Sequence, residues 1–375
     1  MRYISAFIIL LVFFVTGCSK DDNGGWTGTS GNSSTSDEDL WGSLGYSGFS
    51  AGEVDYLSFD ANGSGYYMGY RDIANGNRAT VMKYDGWSWS NVGNAGFSPG
   101  TMDSLSLSLS DAIPYVAFRD HVNGNGVTVM RFDGGQWSYV GRSGFSAGEA
   151  AFISLKVYGG VPYVAYMDGG NGNKATVMRY HEGSWLPVGN AGFTEGTAGD
   201  ISLSVYNSVP GIAYMDGTRG NRATVSHFVN GAWQFMGSPG FSSDTAQYTS
   251  LFIYSGVPYV AYRDGGYSAR ATVMKYTGSW ESVGSAGFSD GPVEYTSCFV
   301  TGGGVYVAFK DSDHENKATV MYYSGWGWEA LGKKGFSSGE VRSVNLLVQD
   351  GYVFAGFRDD GYDGKARVMR YDRWQ

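Results

Sequence analysis

An all-β fold, a seven-bladed propeller with four antiparallel strands in each blade, is predicted by two motifs that recur in fixed register and by the strand patterns between them. The phenylalanines of a recurring Gly-Phe motif are Phe49, Phe97, Phe145, Phe193, Phe241, Phe288 and Phe336. The tryptophans of a recurring Trp-x-x-x-Gly motif are Trp41, Trp89, Trp137, Trp185, Trp233, Trp280 and Trp328. Successive copies of both motifs lie 48, 48, 48, 48, 47 and 48 residues apart. A unit of this length that holds four strands is typical of a propeller blade.

The second unit shows the four strand patterns most clearly. Residues 105–109 alternate Leu and Ser, as in a strand with one buried face, and residues 115–118 form a continuous apolar run, as in a strand covered on both faces. Residues 127–132 and 137–140 give the third and fourth strands. Gly, Asn, Asp and Pro separate these segments, and no stretch of the sequence has the 3.6-residue period of an amphipathic helix.

The two ends of the repeat region predict that the ring closes on itself. The last unit stops after its third strand, residues 368–371, whereas residues 41–45 form a fourth strand with no strands before it. We therefore expect the N-terminal strand to pair with the last blade, which would remove the open sheet edges that promote aggregation.

Two features are interpreted as packing. The second strand of every unit has a small residue at one place, where neighbouring blades would approach each other, namely Gly69, Ala117, Ala165, Ala213, Ala261, Ala308 and Gly356. Cys298 stands alone in an apolar strand with no base in view, so we expect a buried core residue and no disulfide.

The N-terminus predicts export and lipidation. Residues 1–17 have a basic start and an apolar run too short to span a bilayer, which is typical of a signal peptide. The segment Val15-Thr16-Gly17-Cys18 resembles the lipobox of bacterial lipoproteins, which implies a lipid on Cys18. Ser19 resembles an outer-membrane sorting residue, and the charged run that follows resembles a surface-export signal. Residues 18–40, rich in Gly, Ser, Asn and Thr, predict a flexible linker, and residues 41–375 the propeller.

The charge of the chain limits its partners. A formal net charge of −9 and a pI near 4.9 disfavour nucleic acid, because neutralising phosphates requires a basic face. We expect a monomer that meets the membrane only through its lipid anchor.

Seven aspartates at the ends of the second strands are candidate binding residues: Asp72, Asp120, Asp168, Asp216, Asp264, Asp311 and Asp359. They would lie on the face that also holds the connections between blades. In the favoured interpretation they are structural, accepting N–H groups of their own turn or pairing with the Lys or Arg found six positions later in most units. In the alternative they form a ring of polar ligand sites. Tyr267 and Tyr362, in the loops that follow, could stack on a sugar.

A second set of acidic residues precedes the strands that would line the central channel: Glu53, Asp55, Asp103, Glu149, Asp200, Glu294 and Glu340. They predict either an acidic mouth to the channel or a solvated rim. Two loops with alternating carboxylates, around Asp311 and Asp359, leave calcium possible, although the full ligand pattern of a calcium loop is missing. We expect no other cofactor, and no pair of His residues has zinc spacing.

The segments Pro162–Asp168 and Gly172–Met178 resemble the uncharacterised propeller repeats of bacterial proteins, and this resemblance extends over residues 41–375. It implies a fold and not an activity. Because the blades are nearly symmetric and no catalytic motif stands out, we expect a surface-exposed lipoprotein of the outer membrane that binds glycan or protein without catalysis. A glycan hydrolase or lyase using acidic residues at the mouth is the alternative, and a structural spacer a third. Function is sought where blades differ, at Gly126, Tyr267, His314, Glu315 and Tyr362.

Overall fold

The computed structural model describes residues 40–372, and these residues form seven four-stranded antiparallel sheets. The predicted signal peptide, Cys18 and the predicted linker up to residue 39 lie outside the described residues. The sheets follow one another along the chain as seven blades, and the first strand of each blade contacts the first strands of its two neighbours. This arrangement is the predicted seven-bladed β-propeller. Among residues 40–372 no helix is long and apolar enough to cross a membrane.

Each blade consists of consecutive strands, and strand β1 is set apart from the rest at the N-terminus. Blade 1 has β2 (Val54–Asn62), β3 (Gly65–Asp72), β4 (Arg78–Tyr84) and β5 (Trp89–Asn91). Blade 2 has β6 (Met102–Ser110), β7 (Ile113–Asp120), β8 (Gly126–Asp133) and β9 (Gln136–Tyr139). Blade 3 has β10 (Ala150–Tyr158), β11 (Val161–Asp168), β12 (Lys174–His181) and β13 (Ser184–Pro187). Blade 4 has β14 (Ala198–Tyr206), β15 (Val209–Asp216), β16 (Arg222–Val229) and β17 (Ala232–Phe235). Blade 5 has β18 (Ala246–Tyr254), β19 (Val257–Asp264), β20 (Arg270–Tyr276) and β21 (Trp280–Ser282). Blade 6 has β22 (Val293–Thr301), β23 (Gly304–Asp311), β24 (Lys317–Tyr323) and β25 (Trp328–Ala330). Blade 7 has β26 (Val341–Gln349), β27 (Tyr352–Asp359), β28 (Lys365–Tyr371) and β1 (Trp41–Ser43). Single-turn 3-10 helices follow the second strands of blades 2 to 7, at His121–Asn123, Gly169–Asn171, Gly217–Arg219, Gly265–Tyr267, Ser312–His314 and Asp360–Tyr362.

The predicted ring closure is confirmed. Strand β1 is the outer strand of blade 7 and pairs antiparallel with β28, with Trp41 opposite Tyr371 and Ser43 opposite Met369. The ends of the described chain also meet here, because the Asp372 N–H donates to the Leu40 carbonyl at 3.1 Å. No blade is left with fewer than four strands among the described residues.

The two recurring motifs join each blade to the next. The indole of every motif tryptophan stacks on the motif phenylalanine of the preceding connection, with ring centroids 3.8–4.4 Å apart. The same indole N–H donates to a backbone carbonyl of the preceding blade, as from Trp185 to Val140 at 2.7 Å. The stack of Trp41 on Phe336 completes this belt across the closure. The motifs are therefore scaffold.

A second belt surrounds the central channel. In six blades a serine of the first strand accepts the backbone N–H of a residue in the next blade, as from Leu155 to Ser106 at 3.0 Å. In blade 7 Asn345 takes this place and donates its side-chain amide to the Leu57 carbonyl at 3.2 Å. The channel enclosed by these residues has a volume of only about 180 Å³. This space is smaller than the usual small-molecule site of roughly 300 Å³ or more.

The connections between blades and the turns between second and third strands lie on one face, as predicted. A hydrogen bond between the two shows this in blade 3, where the Gly169 N–H donates to the Glu149 carbonyl at 2.8 Å. We call this side the loop-rich face. The short turns between first and second strands and between third and fourth strands lie on the other side, which we call the hairpin face.

The expectation that small residues let blades approach also holds, since a Cβ added at Gly356 would lie 2.6 Å from Met68 Cε in blade 1.

The first strands are longer than their alternation predicted, because each contains a β-bulge. In blade 1 Asp55 pairs with Arg71 and Ser58 with Gly69, so Tyr56 and Leu57 together oppose one residue. The bulge interrupts the period of two, and the sequence pattern therefore begins only after it. Cys298 is buried as expected, and burial raises the pKa of its thiol to about 12.

Candidate functional site

The seven aspartates that end the second strands are buried, with at most 3% of each residue exposed. In blade 3 the Asp168 carboxylate accepts the Gly170 N–H at 3.1 Å, the Asn171 side-chain amide at 2.9 Å and the Thr176 hydroxyl at 2.9 Å. These three donors come from the turn and from the adjacent strand. These contacts agree with the interpretation that the aspartates stabilise their own turns. We therefore leave the seven aspartates out of the proposed binding site.

These aspartates face the Lys or Arg six positions later across the strand pair, as Asp168 faces Lys174. Within the described blades, however, their carboxylates form no salt bridge with those side chains. In five blades the carboxylate turns inward to a threonine two positions further along, such as Thr80 for Asp72 at 2.8 Å. Blade 7 has Arg367 in place of the threonine, and its guanidinium bonds to Asp359 at 2.9 Å in a buried ion pair. The inward orientation is favoured because it gives hydrogen-bond donors to a buried carboxylate that water cannot reach.

The acidic residues near the channel are largely neutralised by basic residues of the second strands. Arg119 forms a salt bridge with Asp103, and Lys310 lies 3.3 Å from Glu294 and 2.7 Å from Glu340. Arg358 bonds to Asp55 at 3.1 Å and also to Glu53 and Asp360. The prediction of an acidic mouth therefore overlooked cations that the sequence shows plainly, in the Arg-Asp and Lys-Asp pairs that end several second strands.

The bulges place one side chain from each blade at the channel entrance on the loop-rich face, and this side chain varies among the blades. The bulged residues have left-handed backbone angles, with φ between +45° and +54°, and they are Tyr56, Ser104, Phe152, Asp200, Tyr248, Tyr295 and Ser343. All of them except Ser104 line a cavity of about 330 Å³ above the channel. The residue at this position of the repeat varies among the blades and is not buried. The positions that build the scaffold, by contrast, hold nearly the same residue in every blade.

Four aromatic rings and one carboxyl dominate this cavity. We call Tyr56, Phe152, Asp200, Tyr248 and Tyr295 the mouth cluster. Tyr56 and Phe152 are 41% and 40% exposed, and the rings of Tyr248 and Tyr295 touch with centroids 5.1 Å apart. Burial is the main cause of the raised pKa of Tyr248 and Tyr295, and the charge of Glu294 adds to it. The cavity therefore presents apolar ring faces beside hydroxyl groups.

Asp200 is the acidic member of the mouth cluster. Its carboxylate accepts the Tyr248 N–H at 2.8 Å, and its own carbonyl accepts the Thr249 hydroxyl. Burial raises the pKa of Asp200, and the bond from Tyr248 opposes that shift only in part. Unlike the carboxylates of Asp55 and Asp103, that of Asp200 is not paired with a guanidinium among residues 40–372, and Asp200 lines the cavity.

A second cavity, of about 360 Å³, lies on the loop-rich face between blades 2 and 3. Arg119 and Glu149 line it together with Met167 and the backbone of Gly169 and Gly170. Arg119 is already bonded to Asp103 through Nε at 2.7 Å. Its main charged group is therefore already paired within the protein.

The positions where the sequence suggested that blades differ are mostly part of the scaffold. Tyr267 is 45% exposed and lies over the backbone of Gly287. Tyr362 lies beneath the Arg367 guanidinium, 4.8 Å from its ring centroid. His314 bonds to Asp311 at 2.9 Å, Glu315 forms a salt bridge with Lys317, and Gly126 faces the backbone of Gly144. Of these residues, Tyr267 offers the most exposed aromatic ring, but at the periphery.

Calcium finds no support in the geometry. Within residues 40–372 no group of three or more His, Cys, Asp or Glu residues is arranged to hold a metal ion. The Asp311 and Asp359 carboxylates are engaged with Thr319 and Arg367. We do not propose a metal site.

Sequence reasoning missed the aromatic members of the mouth cluster. Tyr56, Phe152, Tyr248 and Tyr295 share one column of the repeat with Asp200 and two serines, and such variability in a column next to a regular strand was the available signal. The bulge hid it, because it interrupts the alternation and the regular strand pattern begins only after these residues.

No protein-family model matches the chain, and no curated protein has a detectably similar sequence. Among solved structures, the BP39L lectin from Burkholderia pseudomallei is similar at 15% identity with a TM-score of 0.60, over 86% of this chain and 96% of that chain. The SapL1 lectin, solved in complex with α-methyl fucoside, is similar at 13% identity with a TM-score of 0.51, over 78% of this chain and 99% of that chain. At such identities the likeness establishes the propeller fold.

Proposed function

We propose that the protein is a non-enzymatic carbohydrate-binding module and that its site is the mouth cluster. The observation that carries this proposal is the group of four aromatic rings, two of them exposed, around a carboxyl at an axial position where the blades differ. An aromatic face covers the C–H side of a sugar ring, and nearby carboxyl and hydroxyl groups bond its OH groups. Two proteins that share the fold are lectins, one of them seen with a methyl fucoside, so the fold is compatible with sugar recognition.

The cavity above the channel is large enough for a small sugar. Its volume of about 330 Å³ lies at the lower end of the range of roughly 300–1,000 Å³ for small-molecule sites. The channel beneath it has a smaller volume, of about 180 Å³. The cavity therefore favours a terminal residue or a short segment of a glycan that reaches the loop-rich face from outside.

We further propose that the module is displayed on the cell surface as an outer-membrane lipoprotein. The support is the lipobox-like segment that ends at Cys18 and the linker pattern of residues 18–40. Mass spectrometry of the mature chain, with Cys18→Ser as the control variant, tests this part separately from sugar binding.

A glycan array followed by calorimetry tests the binding proposal. Phe152→Ala removes a mouth ring, and Tyr158→Ala removes a ring of similar exposure, 37%, from the opposite end of the same strand. We expect Phe152→Ala to weaken binding about tenfold or more and Tyr158→Ala to leave it unchanged. Equal effects of the two variants would refute the mouth site. Release of reducing sugar that is lost in Asp200→Asn would instead identify the hydrolase alternative.

A further inference from the structure

Two tryptophans on the hairpin face are almost fully exposed. Trp87 and Trp326 are 88% and 95% exposed, the largest exposures among the large hydrophobic residues that the structure describes. They occupy equivalent turns, between the third and fourth strands of blades 1 and 6. At these exposures neither ring packs into the core of its blade, so both rings are free to meet a partner.

Their turns are built to hold the rings outward. The Asp85 carboxylate accepts the N–H groups of Trp87 and Ser88, both at 2.8 Å, and the Tyr84 hydroxyl donates to the Gly86 carbonyl at 2.8 Å. In blade 6 the hydroxyl of Tyr323 donates to the Gly325 carbonyl at 3.2 Å. The equivalent turns of blades 2 to 4 have no tryptophan at this place and have glycine instead, at Gly135, Gly183 and Gly231.

The two tryptophans flank the place where the chain enters the propeller. Blade 7 lies between blades 6 and 1, and its outer strand begins at Trp41, opposite Tyr371. In the neighbouring blades the residues opposite each other at this edge are Tyr84 with Trp89 and Tyr323 with Trp328, directly beside the two turns. Leu40 and Trp41, where the described chain begins, therefore lie on the hairpin face between the two exposed rings.

We propose that Trp87 and Trp326 dock the hairpin-face edge of blades 6, 7 and 1 onto the lipid surface and so orient the loop-rich face outward. Indole rings favour the membrane–water interface, because one part of the ring is apolar and the N–H stays hydrated. This proposal rests on the lipid anchor proposed above. A random coil of the linker's length spans about 25 Å, which keeps the two rings at an effective concentration on the order of millimolar near the bilayer.

Tethering is the reason why two rings suffice. Two tryptophans without a tether would hold the chain on a bilayer only weakly, and the net charge of −9 opposes adsorption to anionic lipid. Once the anchor holds the chain, docking is an intramolecular step and no longer has to overcome the entropy of association. The expected ligand is therefore a zwitterionic lipid interface.

Hydrogen exchange of the mature chain in phosphatidylcholine vesicles tests the docking. We expect slower exchange in residues 84–89 and 323–328 on vesicles than in detergent, with no change in the equivalent turns at 132–137 and 180–185. The double variant Trp87→Ser and Trp326→Ser should lose this protection and remain in the vesicle fraction. Protection in all turns alike, protection of the loop-rich face, or no protection would overturn the proposal.

The two proposals can fail separately. If mass spectrometry finds no lipid on Cys18, the anchor proposal fails. Docking is then tested with the chain from Ser19 held through an N-terminal histidine tag on vesicles with nickel-chelating lipid. The same two turns should be protected there, and their exchange at the rate found without vesicles would contradict docking. Protection that requires added glycan or protein, and no lipid, would assign the two rings to that partner instead.

Discussion

Trp41 stacks on Phe336 with the ring centroids 4.0 Å apart and donates its indole N–H to the Leu331 carbonyl at 2.7 Å. This contact joins residues nearly 300 positions apart, and it closes the ring between blades 7 and 6. It repeats the contact that holds every other pair of neighbouring blades. The closure is therefore one more copy of the repeat, formed by the two ends of the chain.

The first prediction concerns this closure. Trp41→Ala should lower the free energy of unfolding by about 3–5 kcal/mol, because it removes a buried ring, a stack and a hydrogen bond. Trp87→Ala, at an exposed turn, should change it by no more than about 0.5 kcal/mol. Urea unfolding followed by circular dichroism measures both. Similar losses for the two variants would contradict the closure.

Much of the fold could be predicted from the sequence because the repeat is so regular. The spacing of the motifs determined the blade count, and the missing last strand together with the unmatched first one predicted the closure. The orientation of Asp168 toward Thr176 could not be predicted, since alternation places both residues near the turn without saying which donor the carboxylate takes. The mouth cluster was not predicted because its residues lie in the bulges, where the period of two is interrupted, and the regular alternation begins only after them.

The second prediction separates scaffold from site among the aspartates. Asp168→Ala leaves the donors of Gly170, Asn171 and Thr176 without their acceptor, and it should cost about 2–4 kcal/mol of stability. Glu182→Ala, in an exposed turn of the same blade, is the control and should be neutral. Calorimetry of the folded fraction should find glycan affinity unchanged in Asp168→Ala. Lost affinity with full stability would return the aspartates to the binding site.

The third prediction uses the exception in blade 7. Arg367→Ala leaves the Asp359 carboxylate buried without its cation and should cost about 3–5 kcal/mol. Arg367→Thr installs the residue that the other six blades have at this position and should stay within about 1 kcal/mol of the parent. Thermal unfolding of both variants decides the matter. If Thr is as damaging as Ala, the inward Asp–Thr bond is not interchangeable with the ion pair.

The fourth prediction is a pH dependence. Burial raises the pKa of Asp200 in the folded chain, so the folded state holds this proton more tightly than the unfolded state. The stability contribution is full below the ordinary carboxyl pKa of 3.8 and is lost as the pH rises through the raised value. Asp200→Asn should therefore gain stability relative to the parent as the pH rises from about 4 to 7. Unfolding curves that keep a constant difference across this range would show that Asp200 is not perturbed.

The stoichiometry of glycan binding tests the central claim most directly. A site formed once, at the axis, by side chains that differ from blade to blade takes one ligand per chain, whereas sites made by the repeat itself would number up to seven. Titration calorimetry with the best ligand from the array should give a stoichiometry of one, with the affinity of that single site about tenfold or more weaker in Phe152→Ala. A stoichiometry near seven, with affinity unaffected by Phe152→Ala, would contradict the account.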